Sequence, residues 1–271
     1  MAPESEPREV EALIEGRFAR AAVTTRFEPA PRESSAELDA WIERRWQELL
    51  AQAQREGREL YDGALLRFVA ATERRDGSGA RHLELVVGPG RYRDFAATNL
   101  DPTLPPADRG GRFAWRTFGN ALGACAIVAT ADGALVLGRR SDRVFSYPGW
   151  LHAFGGMVEA GDRSDAAIDP FAAVARELHE ELGLAPTELR ELTLRAIVRE
   201  PRLHQPELLF HAEVALSVAE LEARWRRAES RREHAALVAF PRTRAAIAAQ
   251  LATQERVCPI ARACLAYAAR D

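Results

Sequence analysis

The sequence predicts an α/β fold, an α/β/α sandwich with a mixed sheet, preceded by a smaller α+β unit. Three observations lead there. In the second half, apolar runs of strand length stand on both sides of one amphipathic helix. Further helical stretches follow the last strand, and the first third carries a helix and a strand pair of its own. The implied division is an N-terminal α+β domain over 1–115 and a second domain over 116–271.

Residues 1–35 are rich in Pro, Glu and Arg and predict a frayed start with one short strand near Ala21-Ala22-Val23. Ser35 caps a helix over about 36–57, where Leu38, Trp41, Ile42, Trp46, Leu49 and Leu50 recur at helical spacing. A strand pair follows over about 64–87, joined through Asp76-Gly77-Ser78-Gly79. Composition reads Arg91 to Asn99 as a capped surface helix with Arg93 and Asp94 outward. Asp101-Pro102 and Pro105-Pro106 then mark the boundary. In the second unit, strands over 123–130 and 134–140 flank an Asp132-Gly133 hairpin turn. Tyr147-Pro148-Gly149-Trp150 turns the chain into Leu151 to Phe154. After the central helix come strands over 191–199 and 208–216, then a helix over 219–230 with Leu221 and Trp225 inward. A short strand over 236–240 and helices over 243–254 and 259–270 complete the chain.

Composition bounds the function classes. At 271 residues with 47% hydrophobic and 28% charged residues, the chain has the makeup of a soluble globular protein with a substantial core. A net charge of −3 gives no electrostatic case for nucleic acid or a membrane surface. Cys125, Cys258 and Cys264 lack metal-ligand spacing, and their odd number argues against a disulfide framework. No run of 18 apolar residues occurs, and the acidic N-terminus lacks the apolar core of a signal peptide, so a cytoplasmic location is expected.

The chemistry is concentrated in Gly155 to Leu184. Asp169-Pro170 starts a helix as N-cap and first residue, and Gly183 ends it. At about 100° per residue, Phe171, Val174, Ala175 and Leu182 fall within roughly 60° of Leu178 and form the buried stripe. Glu181, Glu177 and Glu180 fall at about −60°, −100° and −160°, an acidic strip beside that stripe. Like charges so close are destabilising, and Arg176, one turn before Glu180, offsets only part of the repulsion. The remaining charge suits a hard divalent cation. Taken alone, such a strip reads as a solvated helix face; the flanking sequence favours the metal.

The whole string resembles the Nudix box, whose family pattern is G-x5-E-x7-R-E-U-x-E-E-x-G-U with U a bulky aliphatic. Arg176 to Leu184 matches at every specified position, and Gly156 matches the opening glycine. Asp162 stands where the first glutamate belongs, and the loop from Arg163 to Ala175 is six residues longer than the pattern. The resemblance implies a Nudix sandwich and a Mg²⁺- or Mn²⁺-dependent hydrolase of a nucleoside diphosphate derivative. It implies Glu177 and Glu181 as metal ligands, Glu180 as a third, and the Gly155 carbonyl completing the set. Arg176 would orient Glu180 by ion pairing. Glu200 and Glu207 bracket a later loop and are candidates for the base, each with a solvated loop carboxylate as its alternative. His152, His204 and His211 read as hydrogen-bonded structural residues. Arg139 and Arg140, at a strand end beside the box, are candidate phosphate clamps, with a solvated strand terminus as their alternative.

A narrower resemblance, to the UDP-glucose-hydrolysing Nudix proteins of animals, rests on Tyr92-Arg93-Asp94-Phe95 and Thr98-Asn99 between a tryptophan-bearing helix and the Nudix unit. It implies cleavage of a UDP-sugar to UMP and sugar 1-phosphate, with Tyr92, Arg93 and Asn99 touching substrate. ADP-ribose, dinucleotides and CoA remain open within enzymes. The other class is a non-catalytic nucleotide-binding module, against which the intact carboxylate strip counts. The expected partner is a small-molecule nucleotide, with no nucleic acid and no membrane; a homodimer is compatible with the family.

Overall fold

The computed structural model describes residues 10–144, 146–164, 167–252 and 256–270. Part of the expected frayed start and the end of the expected 243–254 helix lie outside them. In chain order the elements are β1 (Glu11–Phe18), β2 (Val23–Phe27), α1 (Ala36–Arg55), β3 (Ala64–Arg75), β4 (Arg81–Arg91) and α2 (Tyr92–Ala97). Next come β5 (Gly123–Ala129), β6 (Ala134–Arg140), β7 (Leu151–His152), β8 (Phe154–Met157), β9 (Arg163–Ser164), β10 (Ala167–Ile168) and α3 (Pro170–Leu182). The chain closes with β11 (Leu189–Arg199), β12 (Pro206–Val214), α4 (Val218–Trp225), β13 (His234–Pro241), α5 (Arg244–Ala252) and α6 (Pro259–Ala268).

Among the described residues, eight strands form one sheet along the path β1-β11-β12-β5-β6-β13, with β7 on β6 and β8 on β5. β12 and β5 run parallel while their neighbours pair antiparallel, so the sheet is mixed as expected. Alternation along each strand divides its side chains between two cores. Ala124, Ala126, Val128, Leu208 and Phe210 pack with Phe171, Val174, Leu178 and Leu182 of α3. Cys125, Ile127, Leu135, Leu137 and Leu209 pack with Ile260, Ala261, Cys264 and Leu265 of α6. Helices on both faces make the sandwich.

The first 115 residues contribute an edge strand to the large sheet and a sheet of their own. β2, β4 and β3 form a three-stranded sheet, and its Leu66, Phe68, Leu83, Leu85 and Val87 share the α3-side core. β1, in the stretch expected to fray, pairs with β11 through two register irregularities. Its signal is weak because only Phe18 is buried and the strand lies at the sheet edge. The short strand near Ala21 begins at Val23, after a 3₁₀ turn over Arg20–Ala22.

Candidate active site

α3 forms because its ends and its stripe agree. The Asp169 carboxylate accepts the Phe171 N–H at 2.9 Å, Pro170 opens the helix, and Gly183 closes it at φ 70°. With Phe171, Val174, Leu178 and Leu182 pressed into the core, the acidic strip turns toward β8. Glu181 is 1% exposed; its Oε2 accepts the Gly155 N–H at 2.9 Å, and Oε1 lies 3.3 Å from Nε2 of His234. The approach demands glycines. A Cβ on Gly155 would come within 2.1 Å of the Ala124 carbonyl, and one on Gly156 within 2.4 Å of Glu177 Oε1. Gly138 makes room for His234 in the same way, its added Cβ meeting Nδ1 at 2.2 Å.

Burial raises Glu177 to about 7; Arg176 opposes the shift, and the charges of Glu181 and Glu180 add to it. Arg176 binds Asp162 bidentately at 2.9 and 3.1 Å, Glu177 at 2.7 Å and the Met157 carbonyl at 3.0 Å. Glu180 lies 3.5 Å from it, so the expected orienting of Glu180 is the weakest of its contacts. These acids, Asp162 first, hold the guanidinium's pKa well above its ordinary value. Asp162 also accepts the Glu159 N–H at 2.8 Å. The inserted residues are closed at their root, where the Asp169 N–H donates to the Asp162 carbonyl at 2.7 Å, and β9 and β10 pair beyond it. The insertion therefore leaves Asp162 beside Arg176.

The two candidate bases differ. Glu207, opposite Gly123 in the β12–β5 pairing, is buried, and a Cβ on Gly123 would meet its Oε2 at 2.0 Å. Burial pushes it up to about 8, with the charges of Glu200 and Glu177 adding and a Cys125 hydrogen bond opposing. Gly123 and Gly156, which face Glu207 and Glu177, lie one position apart across the β5–β8 pairing, so the two carboxylates are at the same site. Glu200 is buried, but its oxygens are engaged by the Tyr147 hydroxyl, the Leu203 N–H and the Arg202 N–H, the last at 2.7 Å. It clasps the β11–β12 loop and has little capacity left for a substrate proton. Neither is the solvated loop carboxylate that sequence offered as the alternative.

The remaining candidates divide. Arg140 Nε donates to the Ser146 carbonyl at 2.8 Å, and Arg140 stands opposite His234 in the β13–β6 pairing, one residue from the His234–Glu181 contact. Arg139 is half-buried and donates to the Gly149 carbonyl at 3.4 Å. Tyr92 packs edge-on against Trp46 and Phe95. Arg93 meets Glu43 of α1 at 3.3 Å and Asp94 at 3.4 Å. Both face α1. The expected surface helix is otherwise corrected: Phe95, Ala96, Ala97, Thr98 and Asn99 are buried. Asn99 donates to Asn120 Oδ1 at 3.0 Å and to the His204 carbonyl at 3.1 Å, and accepts the Asn120 N–H at 2.8 Å. His152, beside Arg140, is held by burial down at about 3 and stays neutral. His211 is buried 3.2 Å from Glu213. Sequence reasoning missed His234, whose only local sign is its place before the apolar Ala235-Ala236-Leu237-Val238 run.

Among the described residues, no three His, Cys, Asp or Glu side chains already converge as metal ligands. The residues nonetheless fit a hard divalent ion. Glu177, Glu180, Glu181 and the Gly155 carbonyl offer oxygen only. Glu177 is raised chiefly by burial, with Glu181 and Glu180 adding, a combination that a bound cation would relieve.

The NUDIX domain family model matches residues 119–257. Similar solved structures include DR0079 from Deinococcus radiodurans, at 15% identity and TM-score 0.42, covering 73% of this chain and 98% of that one. The MutT protein from Methanosarcina mazei Go1 is 18% identical at TM-score 0.33, covering 55% and 93%. The Nudix hydrolase RenU from M. smegmatis is 17% identical at TM-score 0.35, covering 54% and 81%. Comparison with curated proteins gives no match. No helix among the described residues is long and apolar enough to cross a membrane. With just over half its length matched by the family model, the Arg176–Leu184 motif inside that span, and its carboxylates gathered against β8, the chain belongs to the Nudix family and is a Nudix hydrolase.

Proposed function

We propose that the protein is a Mg²⁺- or Mn²⁺-dependent pyrophosphohydrolase that cleaves a UDP-sugar to UMP and sugar 1-phosphate. The observation that carries hydrolysis is the acidic face of α3, with Glu181 buried against Gly155 and Glu177 against Gly156. A bound divalent ion neutralises the diphosphate and acidifies a water. Glu177, Glu180 and Glu181 would hold it, with the Gly155 carbonyl. Arg176 and Asp162 fix where Glu177 points. Glu207 takes the proton as a water oxygen bonds to phosphorus and the bridging P–O bond breaks. The UDP-sugar preference is supported by the resemblance around Tyr92 to Asn99 and by Asn99 lining a cleft with Tyr147. In this reading residues 1–115 form a unit that shapes substrate access to a catalytic unit over 116–271.

The test is product analysis with Mg²⁺ or Mn²⁺ and UDP-glucose, UDP-galactose, ADP-ribose, ADP-glucose, NADH and CoA, alongside Glu181→Gln. UMP and hexose 1-phosphate from the wild type, lost in the variant, are expected. Turnover of ADP-ribose alone would keep the mechanism and discard the UDP-sugar. Ligand-dependent thermal stabilisation without any turnover would leave a binding module.

A further inference from the structure

A cleft of about 340 Å³ opens between the turn after β6, the β11–β12 loop and the chain following α2. That volume is within the range of small-molecule sites. Two arginines line it, each laid over an aromatic ring. The Arg202 guanidinium sits 5.2 Å from the Tyr147 centroid, that of Arg256 5.9 Å from Trp150, and the two rings are 5.2 Å apart. No acidic side chain is among the described residues lining the cleft. Glu200, behind Tyr147, has its oxygens turned to the Tyr147 hydroxyl and the loop amides.

One lining residue, Tyr147, is held in a costly backbone conformation, and His204, next to the lining Leu203, in another. Among the described residues, the non-glycine positions with positive φ are Asn120, Tyr147 and His204, at 42°, 52° and 51°. Tyr147 lines the cleft. The His204 carbonyl is gripped by Asn99 at 3.1 Å and by Trp115 Nε1 at 2.7 Å, and Asn120 pairs with Asn99. Strained residues of this kind cluster at active sites and ligand clamps. A guanidinium stacked on a ring keeps its N–H edge free for oxygen acceptors. With those ring faces already covered, the cleft is better suited to a compact anion than to a stacked base.

We propose that this cleft is an anion subsite, in which Arg202 and Arg256 bind a phosphate of the substrate other than the one held against α3. This rests on the phosphohydrolase reading. The two places are neighbours: Glu200 behind Tyr147 donates its N–H to the Gln205 carbonyl, the Gln205 side chain reaches Met157 of β8 at 3.4 Å, and Gln205 and Glu207 both crowd Gly123.

The test is titration calorimetry of the intact protein with inorganic pyrophosphate in excess chelator, where the α3 carboxylates offer an anion nothing. Arg202→Gln and Arg256→Gln should each raise Kd about tenfold or more, the size expected for a charge-assisted bond. Arg226→Gln, which removes a surface charge paired with Glu222, should leave Kd and turnover unchanged. With a hydrolysed substrate, the cleft variants should raise KM and hold kcat within about twofold. No pyrophosphate binding by the wild type, or binding unchanged in both cleft variants, overturns the subsite even if turnover is intact. Loss of pyrophosphate binding in those variants, in a protein that turns over nothing, keeps the subsite and removes the hydrolase reading.

Discussion

Two short helices carry most of the residues that family resemblance singled out, and they use them in opposite ways. On α3 the apolar stripe enters the core, and the acids beside it gather at β8, where Glu181 is buried. On α2 the second half, Phe95 to Ala97, is buried, and the conspicuous residues of the first half turn away from that site: Tyr92 to Trp46, Arg93 to Glu43. Only Asn99, just beyond its end, reaches the cleft. Periodicity tells which residues share a face, whereas what that face meets is decided by the rest of the chain.

The contrast between the two helices is most easily broken at α3. Glu181→Gln and Glu177→Gln should each lower kcat by on the order of 10³-fold, because charge stabilisation at the diphosphate is lost. Steady-state assays would show it, and a loss under tenfold would put the chemistry elsewhere.

Next in size is a pH effect confined to the α3 side. Glu177 and Glu207 titrate at about 7 and about 8 in the fold, above their ordinary 4.5. The folded state therefore binds their protons more tightly than the unfolded chain. Their contribution to stability is fully present below about pH 4.5 and lost as pH rises through 7 and 8. Urea denaturation in chelator should show a decline on the order of 2–5 kcal/mol across that window. Glu207→Gln should flatten most of it. Divalent ion should restore stability at the alkaline end, since it binds the ionised carboxylates.

Asn99→Ala leaves the Asn120 N–H and Oδ1 without their Asn99 partner and the His204 carbonyl with Trp115 alone. It should cost about 1–3 kcal/mol in thermal or urea unfolding and raise KM through the loosened cleft. Arg93→Ala should do least, costing below about 1 kcal/mol with KM unchanged, because its ion pairs are partly solvated. A tenfold rise in KM there would give α2 a direct hold on substrate and erase the contrast with α3.

The legible part of the site was the part that lies on one helix. Arg176, Glu177, Glu180 and Glu181 are fixed relative to one another by the α-helical repeat alone, and Asp169, Pro170 and Gly183 set where that repeat begins and ends. The succession of strands and helices from Gly123 onward was readable for a similar reason, since apolar runs and turn residues are local, whereas the order of those strands in the sheet was not. The bidentate grip of Asp162 on Arg176 depended on how an insertion closes at its root, which no spacing rule gives. Glu200 and Glu207 looked alike in sequence. Pairing opposite Gly123 left one carboxylate buried at the site, while the Tyr147 hydroxyl and loop amides consumed the other. β1, His234 and the inward side of α2 belong to the same class. Sequence by itself determined the catalytic helix, because a helix is a short-range object. Tertiary structure decided what that helix faces, because partners brought together from distant positions are chosen by packing and strand register.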